Sequence, residues 1–187
     1  MEHIYHLDHF GENWFQKTSQ TLIKKVVEIT HTGGKFVEIG SWKGKSAAFT
    51  VVEIINSGKK IQFDCIDTWE GSKEHQGDPC LSELFEIFQE NMKPLEGYYN
   101  AVKLRSMDAV KLYEDNSLDF IYIDASHEYE DVKNDILHWR PKLKDTGVIS
   151  GDDYSWEGVK KAVNEIFEKD VEKIGDTWFH SKINDLL

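Results

Sequence analysis

The 187-residue chain has few cysteines and prolines, two and three respectively, and it has no long apolar run. Two cysteines without a CxxC spacing exclude a disulfide framework. No stretch approaches the roughly 20 apolar residues that a membrane-spanning helix needs. The opening MEHIYHLDHF lacks the basic start and apolar core of a signal peptide. We therefore expect a cytoplasmic protein that does not engage a membrane.

Basic residues are scarce relative to acidic ones. Lysine and arginine total 22 against 34 aspartates and glutamates, which gives a formal net charge of −12. Such a field repels nucleic-acid phosphates and anionic lipid, and the lysines occur only in short, scattered groups. The composition thus argues against a nucleic-acid partner. It favours a chain that can hold a divalent cation.

The rest of the composition is that of one compact domain, which we expect to span residues 1–187. Apolar periodicity and glycine positions divide it into alternating strands and helices. The predicted strands are 35–40, 61–67, 101–105, 118–124, 148–153, 171–175 and 177–183. The predicted helices are 13–30, 46–57, 81–92, 108–114, 128–139 and 156–170.

This alternation predicts an α/β fold: a single doubly wound, Rossmann-like, mostly parallel seven-stranded sheet with helices on both faces. The last two strands, joined by Gly175 and Asp176, predict an antiparallel hairpin near the C-terminus. Residues 1–34 form an N-terminal helical segment. The polar stretch 68–100 is longer than a minimal connection, and we expect it to be a lid or acceptor-binding insertion. Ligands on such sheets bind at the carboxyl ends of the strands.

The first predicted strand ends in Glu38 and Gly40, and Gly44 follows where a helix begins. Two glycines between a strand and a helix let the backbone approach a ligand and expose helix N-terminal amides, although packing alone often places glycine there. The segment has neither GxxxxGK[ST] nor GxGxxG, the patterns of phosphate loops and dinucleotide sites. Glu38 suits a cationic or hydroxylated ligand better than a pyrophosphate.

Acids also follow the second and third predicted strands. Asp67 has the position and chemistry to accept hydrogen bonds from both hydroxyls of a ribose; the alternative is a turn or helix cap. Asp108, by residue type alone, is a helix N-cap. Trp42 and Trp69 follow the first two strands, where an indole either stacks on a ligand or packs in the core.

Three acids follow the fourth and fifth strands, Asp124 on one and Asp152 and Asp153 on the other. Carboxylates at neighbouring strand ends repel one another unless something positive joins them. A hard divalent cation with oxygen ligands does so and leaves positions for substrate oxygens. The alternative is that the three acids cap the helices that follow.

The segments FVEIGSWKGKSA, CIDTWEGS, RSMDA, DFIYIDASHEYEDV and GVISGDDY occur in this order. Together they resemble the class I S-adenosylmethionine-dependent methyltransferases. The resemblance covers about residues 35–182 and is strongest to small metal-dependent O-methyltransferases of the catechol and macrolide-sugar types. The pairing of DFIYIDASHxYE with a downstream GxISGDDY is its most specific part.

The resemblance implies that S-adenosylmethionine is the cofactor and that Mg²⁺, or Mn²⁺, binds at the acids. The residues implied to bind the cofactor are Glu38, Gly40, Ser41, Trp42, Asp67, Thr68, Trp69, Asp108 and Asp124. Of these, Glu38 and Gly40 would lie against the methionine part, Asp67 on the ribose and Asp108 near the adenine amine. The implied metal ligands are Asp124, Asp152 and Asp153.

The resemblance also points to Asp124 and His127 as catalytic residues. His127 lies three residues after Asp124, where catechol-type relatives carry the lysine that deprotonates the acceptor. A helix N-terminus and a bound cation favour its neutral form, the form that accepts a proton. The alternative is a surface histidine at the start of a helix. Asp153 is a second departure, because catechol enzymes carry asparagine as the third ligand.

The sequence therefore predicts a magnesium-dependent O-methyltransferase that acts on a hydroxyl of a small polar acceptor. A sugar or glycoside is the first choice and a catechol-like phenol the second. The rivals are a nicotinamide-dependent oxidoreductase and a cofactor-binding domain without catalysis. A homo-oligomer is compatible with the sequence.

Overall fold

The computed structural model of the chain describes residues 3–10, 14–181, 183 and 186. The strands are β1 (Lys35–Ile39), β2 (Gln62–Asp67), β3 (Asn100–Lys103), β4 (Leu118–Ile123), β5 (Leu143–Gly151), β6 (Glu172–Ile174) and β7 (Thr177–Ser181). The α-helices are α1 (Lys17–Ile29), α2 (Lys45–Ser57), α3 (Leu84–Met92), α4 (Ser106–Ala109), α5 (Tyr129–Trp139) and α6 (Glu157–Phe167).

The strands form one seven-stranded sheet in the order β3-β2-β1-β4-β5-β7-β6. The first five strands pair in parallel, and β7 is antiparallel to both β5 and β6. The prediction of a doubly wound, mostly parallel sheet with an antiparallel C-terminal edge is confirmed. The strand order reverses between β1 and β4, which opens a crevice at the carboxyl ends of these two strands.

Two apolar cores cover the two faces of the sheet because neighbouring strand residues point to opposite sides. Phe36 and Phe120 face a core that includes residues of α1, α2 and α3. Their neighbours Val37 and Ile121 face a second core built with α4, α5 and α6. The sheet is buried on both faces, so polar chemistry is left to the strand ends.

The N-terminal helix begins at Lys17, not at residue 13 as predicted, and residue 13 lies outside the described part of the chain. Trp14, assigned to the helix by its spacing, precedes it and is 62% exposed. Ahead of the helix, the backbone of Ile4 makes two hydrogen bonds with the Asn56 side chain on α2. Gln16, the residue before the helix, has an extended backbone (φ −82°, ψ 155°), so the helix does not continue back to Trp14.

Strand β5 begins at Leu143, five residues before the start of the predicted strand at 148–153. Leu143 pairs with Leu118 before a register shift. Of the last predicted strand, β7 ends at Ser181 and residue 182 lies outside the described part of the chain. None of the helices in the described residues has the length and apolar character to cross a membrane.

Candidate active site

Two adjoining cavities open at the carboxyl edge of the sheet. The β2-side cavity, of about 530 Å³, lies between the ends of β1 and β2, the loop after β3 and helix α5. The β5-side cavity, of about 570 Å³, lies between the β1–α2 loop, the ends of β4 and β5 and the segment before α1. Both have the size of small-molecule sites. The residues that line both cavities are Gly40, Trp42, His75, Asp124 and Ala125.

Asp67, at the end of β2, is held by backbone donors. One carboxylate oxygen accepts hydrogen bonds from the amides of Ser41 (2.9 Å) and Trp42 (2.8 Å), and the other accepts one from Trp69 (2.8 Å). Trp42 and Trp69 adopt positive φ values of 46° and 55°, which are rare for bulky side chains and cluster at functional sites. Asp67 thus fixes two loops while lining the β2-side cavity.

Glu38 lies inside β1 beneath the cavities and is 1% exposed. Its carboxylate accepts a 2.7 Å hydrogen bond from the Ser41 hydroxyl. Burial raises the pKa of Glu38 to about 7, although hydrogen bonds from Ser41 and Ser46 act to lower it. The side chain lines neither cavity, whereas Ser41 and Ser46 line the β5-side one. Glu38 therefore reaches a ligand only through the glycine turn above it.

Gly40 brings the two halves of the edge together. Its φ is +89°, and a Cβ atom there would lie 2.2 Å from the Asp124 carbonyl oxygen. The β1 turn therefore packs directly on the backbone that follows β4, and only glycine permits this. Gly40 lines both cavities.

Aromatic side chains form the partition between the cavities. Trp42 lines both and stacks on His75 with ring centroids 4.1 Å apart. Thr68 lines the β2-side cavity. Trp69 lines neither; it is 3% exposed, packs on Phe85 and donates its indole N–H to the Trp42 carbonyl. Its structural role is to support the wall from behind.

Asp124, His127 and Asp153 meet in the β5-side cavity, where one ligand atom from each lies within 4.8 Å of the others. Burial, and then the charges of Asp152 and Asp153, raise the pKa of Asp124 well above its usual range. Asp153 has a φ of 57°, a conformation that aspartate tolerates better than most residues. The group thus places two carboxylates beside one imidazole ring.

His127 lies between two carboxylates. Its Nε2 is 2.8 Å from Asp153 and its Nδ1 is 3.0 Å from Glu74, while its ring stacks on Trp156. Burial lowers the pKa of His127, but the two acids outweigh it and raise the pKa to about 9. The protein's own charged groups therefore favour the protonated ring, and the expectation of a neutral ring is wrong in the absence of a cation. The imidazolium supplies positive charge to this cluster.

Asp152 is turned toward the protein, unlike its neighbour. It accepts a 3.0 Å hydrogen bond from Ser19 of α1 on one oxygen, and Thr177 of β7 approaches the other at 3.4 Å. Burial raises its pKa. Although Asp152 lines the β5-side cavity, the compact three-residue group contains His127 in place of it.

Asp108 lies on the rim of the β2-side cavity. Its side chain is 56% exposed and forms a 2.7 Å ion pair with Lys111 one helical turn away. That pair lowers the pKa of Asp108. The structure thus places the carboxylate among the cavity's residues but engages it with a lysine.

Several residues of the site were not identified from the sequence. Glu74 contacts His127. His75 is half-buried and stacks on Trp42. Trp14 and Trp156 are exposed yet line the β5-side cavity. Their only signal was the length and polarity of the 68–100 insertion and the presence of large aromatic residues near predicted loops.

The donor set of this cluster fits a divalent cation. Asp124 and Asp153 offer carboxylate oxygens, which Mg²⁺ and Mn²⁺ prefer. His127 offers no free ring nitrogen while it carries the proton that its raised pKa retains. Burial and the charges of Asp152 and Asp153 raise the pKa of Asp124, and a cation would offset those charges. Asp152 lies behind the pair, held by Ser19.

Comparison with known proteins identifies the family. Residues 37–154 match a family described as a methyltransferase domain, which covers more than half of the chain. An uncharacterized protein, y4gI, of Sinorhizobium fredii is 28% identical over 117 residues. That match covers 62% of this chain and only 12% of the relative.

Solved structures with similar folds include the O-methyltransferase NovP, with a TM-score of 0.69 and 15% identity over 89% of this chain and 78% of that one. CalS11, a TDP-rhamnose 3′-O-methyltransferase of calicheamicin biosynthesis, has a TM-score of 0.60 and 13% identity over 88% and 76%. An O-methyltransferase from Bacillus cereus in complex with SAH has a TM-score of 0.59 and 16% identity over 90% and 81%. At these identities the likeness is one of fold.

Proposed function

The chain belongs to this methyltransferase-domain family, and we propose that it transfers the methyl group of S-adenosylmethionine to a hydroxyl of a small polar acceptor. Family membership confirms the class I S-adenosylmethionine-dependent methyltransferase predicted from the motifs. The β2-side cavity binds S-adenosylmethionine and the β5-side cavity binds the acceptor. One observation carries the proposal: the two cavities meet at Gly40 and Asp124. A methyl donor in one is thereby adjacent to an acid-lined acceptor pocket in the other.

The cofactor half is supported by the residues at the ends of β1 and β2. After accepting its three backbone hydrogen bonds, the Asp67 carboxylate retains one lone pair for a ribose hydroxyl, on the oxygen that accepts from Trp69. The Gly40 turn leaves room for the methionine part, and Glu38 beneath it supplies negative charge toward the ammonium. Family membership argues against the nicotinamide alternative.

The chemistry requires a positioned, nucleophilic oxygen. The cofactor supplies a methyl group on a sulfonium: the C–O bond forms as the S–C bond breaks, and the electron pair of that bond stays on sulfur. A divalent cation supplies a Lewis acid for vicinal acceptor oxygens, and Asp124 and Asp153, with Asp152 behind them, would hold it. His127 accepts the acceptor proton in its neutral form, which is the minor form at pH 7 because Asp153 and Glu74 outweigh burial and raise its pKa to about 9.

A sugar or glycoside is the proposed acceptor, with a catechol-like phenol as the second choice. The carboxylates of the β5-side cavity suit vicinal hydroxyls. Its walls include Trp14, Trp42 and Trp156, whose faces pack against the apolar side of a ring. Among structures of similar fold, CalS11 is named for methylation of TDP-rhamnose, which supports this order.

The test is calorimetric titration with S-adenosylhomocysteine (SAH), with and without Mg²⁺ or Mn²⁺, followed by turnover with glycosides and catechols. We expect micromolar SAH binding without metal, and acceptor turnover that a chelator abolishes. Turnover that persists in chelator would remove the metal role. Absence of SAH binding would contradict the proposal, and SAH binding without turnover of any acceptor would favour the non-catalytic alternative.

A further inference from the structure

The β2-side cavity has a second end to which the proposed function assigns no ligand-binding residue. It is formed by the loop after β3 and one face of α5, where Asp131, Asn134 and Asp135 lie at helical spacing along the cavity. Asp67 and Gly40 stand at the other end of the same cavity. A nucleoside whose ribose lies on Asp67 therefore directs its base toward α5 and the β3 loop.

Asp135 is the buried acid at this end, with 6% exposure. The Ser106 hydroxyl donates to its Oδ1, and Ser106 in turn accepts a 2.8 Å hydrogen bond from the Trp139 indole N–H. Trp139 is fully buried. This relay from the core through Ser106 gives the carboxylate one orientation.

The second carboxylate oxygen of Asp135 is left for a ligand. Among the described residues, Oδ1 accepts the bond from Ser106 and Oδ2 accepts none. The described buried polar atoms that lack both a partner and contact with solvent do not include Oδ2. Asp135 lines the cavity, so a ligand bound there can reach its carboxylate. Burial raises the pKa of Asp135 to about 6, so the group is mostly ionised at pH 8 and a donor would stabilise it.

Asp108, the acid that the motifs assigned to the adenine amine, is placed differently. It is mostly exposed and paired with Lys111, and the pair lowers its pKa. A hydrogen bond made there would compete with both water and a lysine. Such an exposed, paired carboxylate adds little discrimination, because it gains little from a further donor.

Resting on the proposed function, we propose that Asp135, oriented by Ser106 and Trp139, accepts a hydrogen bond from the exocyclic amine of the cofactor's adenine, and that Asp108 does not. The amine is a donor pair, and a desolvated carboxylate is the strongest acceptor that a side chain offers it. Asp135 is therefore a specificity residue for adenine, located on α5 and outside the motifs at the strand ends.

The experiment is a double-mutant cycle at pH 8 that measures binding by calorimetry. The ligands are SAH and its analogue that lacks the 6-amino group. The proteins are wild type, Asp135→Asn and, as the rival candidate for the amine, Asp108→Asn. We expect wild type to bind SAH about 10- to 100-fold more tightly than the analogue, Asp135→Asn to bind both with similar, weaker affinity, and Asp108→Asn to match wild type within about twofold.

Two further outcomes distinguish the possibilities. Wild type that binds neither ligand would overturn the proposed function together with this inference. Wild-type discrimination retained in Asp135→Asn, or lost in Asp108→Asn, would overturn this inference alone. If Asp135→Asn fails to fold, as judged by circular dichroism, Ser106→Ala is measured in its place. That variant keeps the Asp135 carboxylate but removes the hydroxyl that orients it. We expect it to reduce the preference for the amine severalfold, and an unchanged preference would overturn the inference.

Discussion

The acids at the two halves of the sheet edge are stabilised in different ways. Asp67 receives three backbone N–H groups from its own loops, so its charge is satisfied before any ligand arrives. Asp124 is half-buried near Asp152 and Asp153, and burial together with their charges raises its pKa well above the usual range. The β2 side of the edge is preorganised by the chain itself. The β5 side holds negative charge that His127 offsets.

The sharpest test of this contrast is Asp153→Asn. The amide keeps the shape and tolerates the positive φ of Asp153, but it removes a charge that faces only the β5-side cavity. We expect turnover to fall about 10³-fold and the Kd of SAH to stay within about twofold of wild type. Steady-state kinetics and calorimetry on the same preparation measure both. Equal losses of turnover and SAH affinity would show that the halves are not separate.

Gly40→Ala tests the contact between the halves. The added Cβ would lie 2.2 Å from the Asp124 carbonyl, and we expect the free energy of unfolding to fall by about 3 kcal/mol or more. Gly33→Ala is the matched control: its φ is the same +89°, with no atom within 4 Å of the new Cβ. It should cost about 1 kcal/mol from backbone strain alone. Similar urea midpoints for the two variants would argue against the close approach.

Asp67→Asn tests the β2 side of the edge. An amide has one acceptor oxygen where the carboxylate has two, so either the loop amides or the ribose loses a partner. We expect SAH affinity to fall about 30-fold, with the chelator sensitivity of the remaining turnover unchanged. Glu86→Gln, an exposed change on α3, serves as control. An Asp67→Asn variant with wild-type SAH affinity would mean that Asp67 only organises the loops.

Glu38→Gln gives the smallest expected effect and tests the acid beneath both halves. The folded-state pKa of Glu38 is about 7 against an ordinary 4.5, so the folded protein binds this proton more tightly than the unfolded chain. Its contribution to stability is therefore greatest below about pH 4.5 and decreases as the pH rises to about 7. The glutamine side chain of the variant has no such proton.

We expect the Glu38→Gln variant to be about 1–2 kcal/mol more stable than wild type at pH 8 and nearly equal to it at pH 5. Urea unfolding at both pH values measures the difference. Its affinity for SAH should decrease, because the charge toward the ammonium is gone. A stability difference that does not vary with pH would contradict the raised pKa.

Much of the architecture follows from local patterns in the chain. The alternation in KFVEI and LDFIYI placed one apolar set on each face, and glycines or acids marked the ends of five of the seven predicted strands. Asp67, Asp124 and Asp153 could be placed at one edge because parallel strands align their carboxyl ends. The start of α1 could not, since its N-cap residue is Gln16, which makes no side-chain capping hydrogen bond that its residue type could have signalled.

Within the site, side-chain orientation was beyond the sequence. Asp152 and Asp153 are neighbours of identical type, yet one bonds to Ser19 of α1 and the other to His127. Asp108 lies in a motif and Asp135 does not. In the structure, however, Asp108 is exposed and paired with Lys111, whereas Asp135 is buried and oriented by Ser106. These partners come from distant segments, and only the folded chain brings them together.

By itself the sequence determined the fold class, the family and the edge of the sheet where the candidate site lies, because these depend on periodicity and on residue types at strand ends. The tertiary structure alone decided which carboxylates are satisfied and which face a cavity. It also decided the charge of His127, whose pKa depends on Glu74 from the insertion and Asp153 after β5. Desolvation and through-space charge fall off with distance in the folded protein, not with separation along the chain.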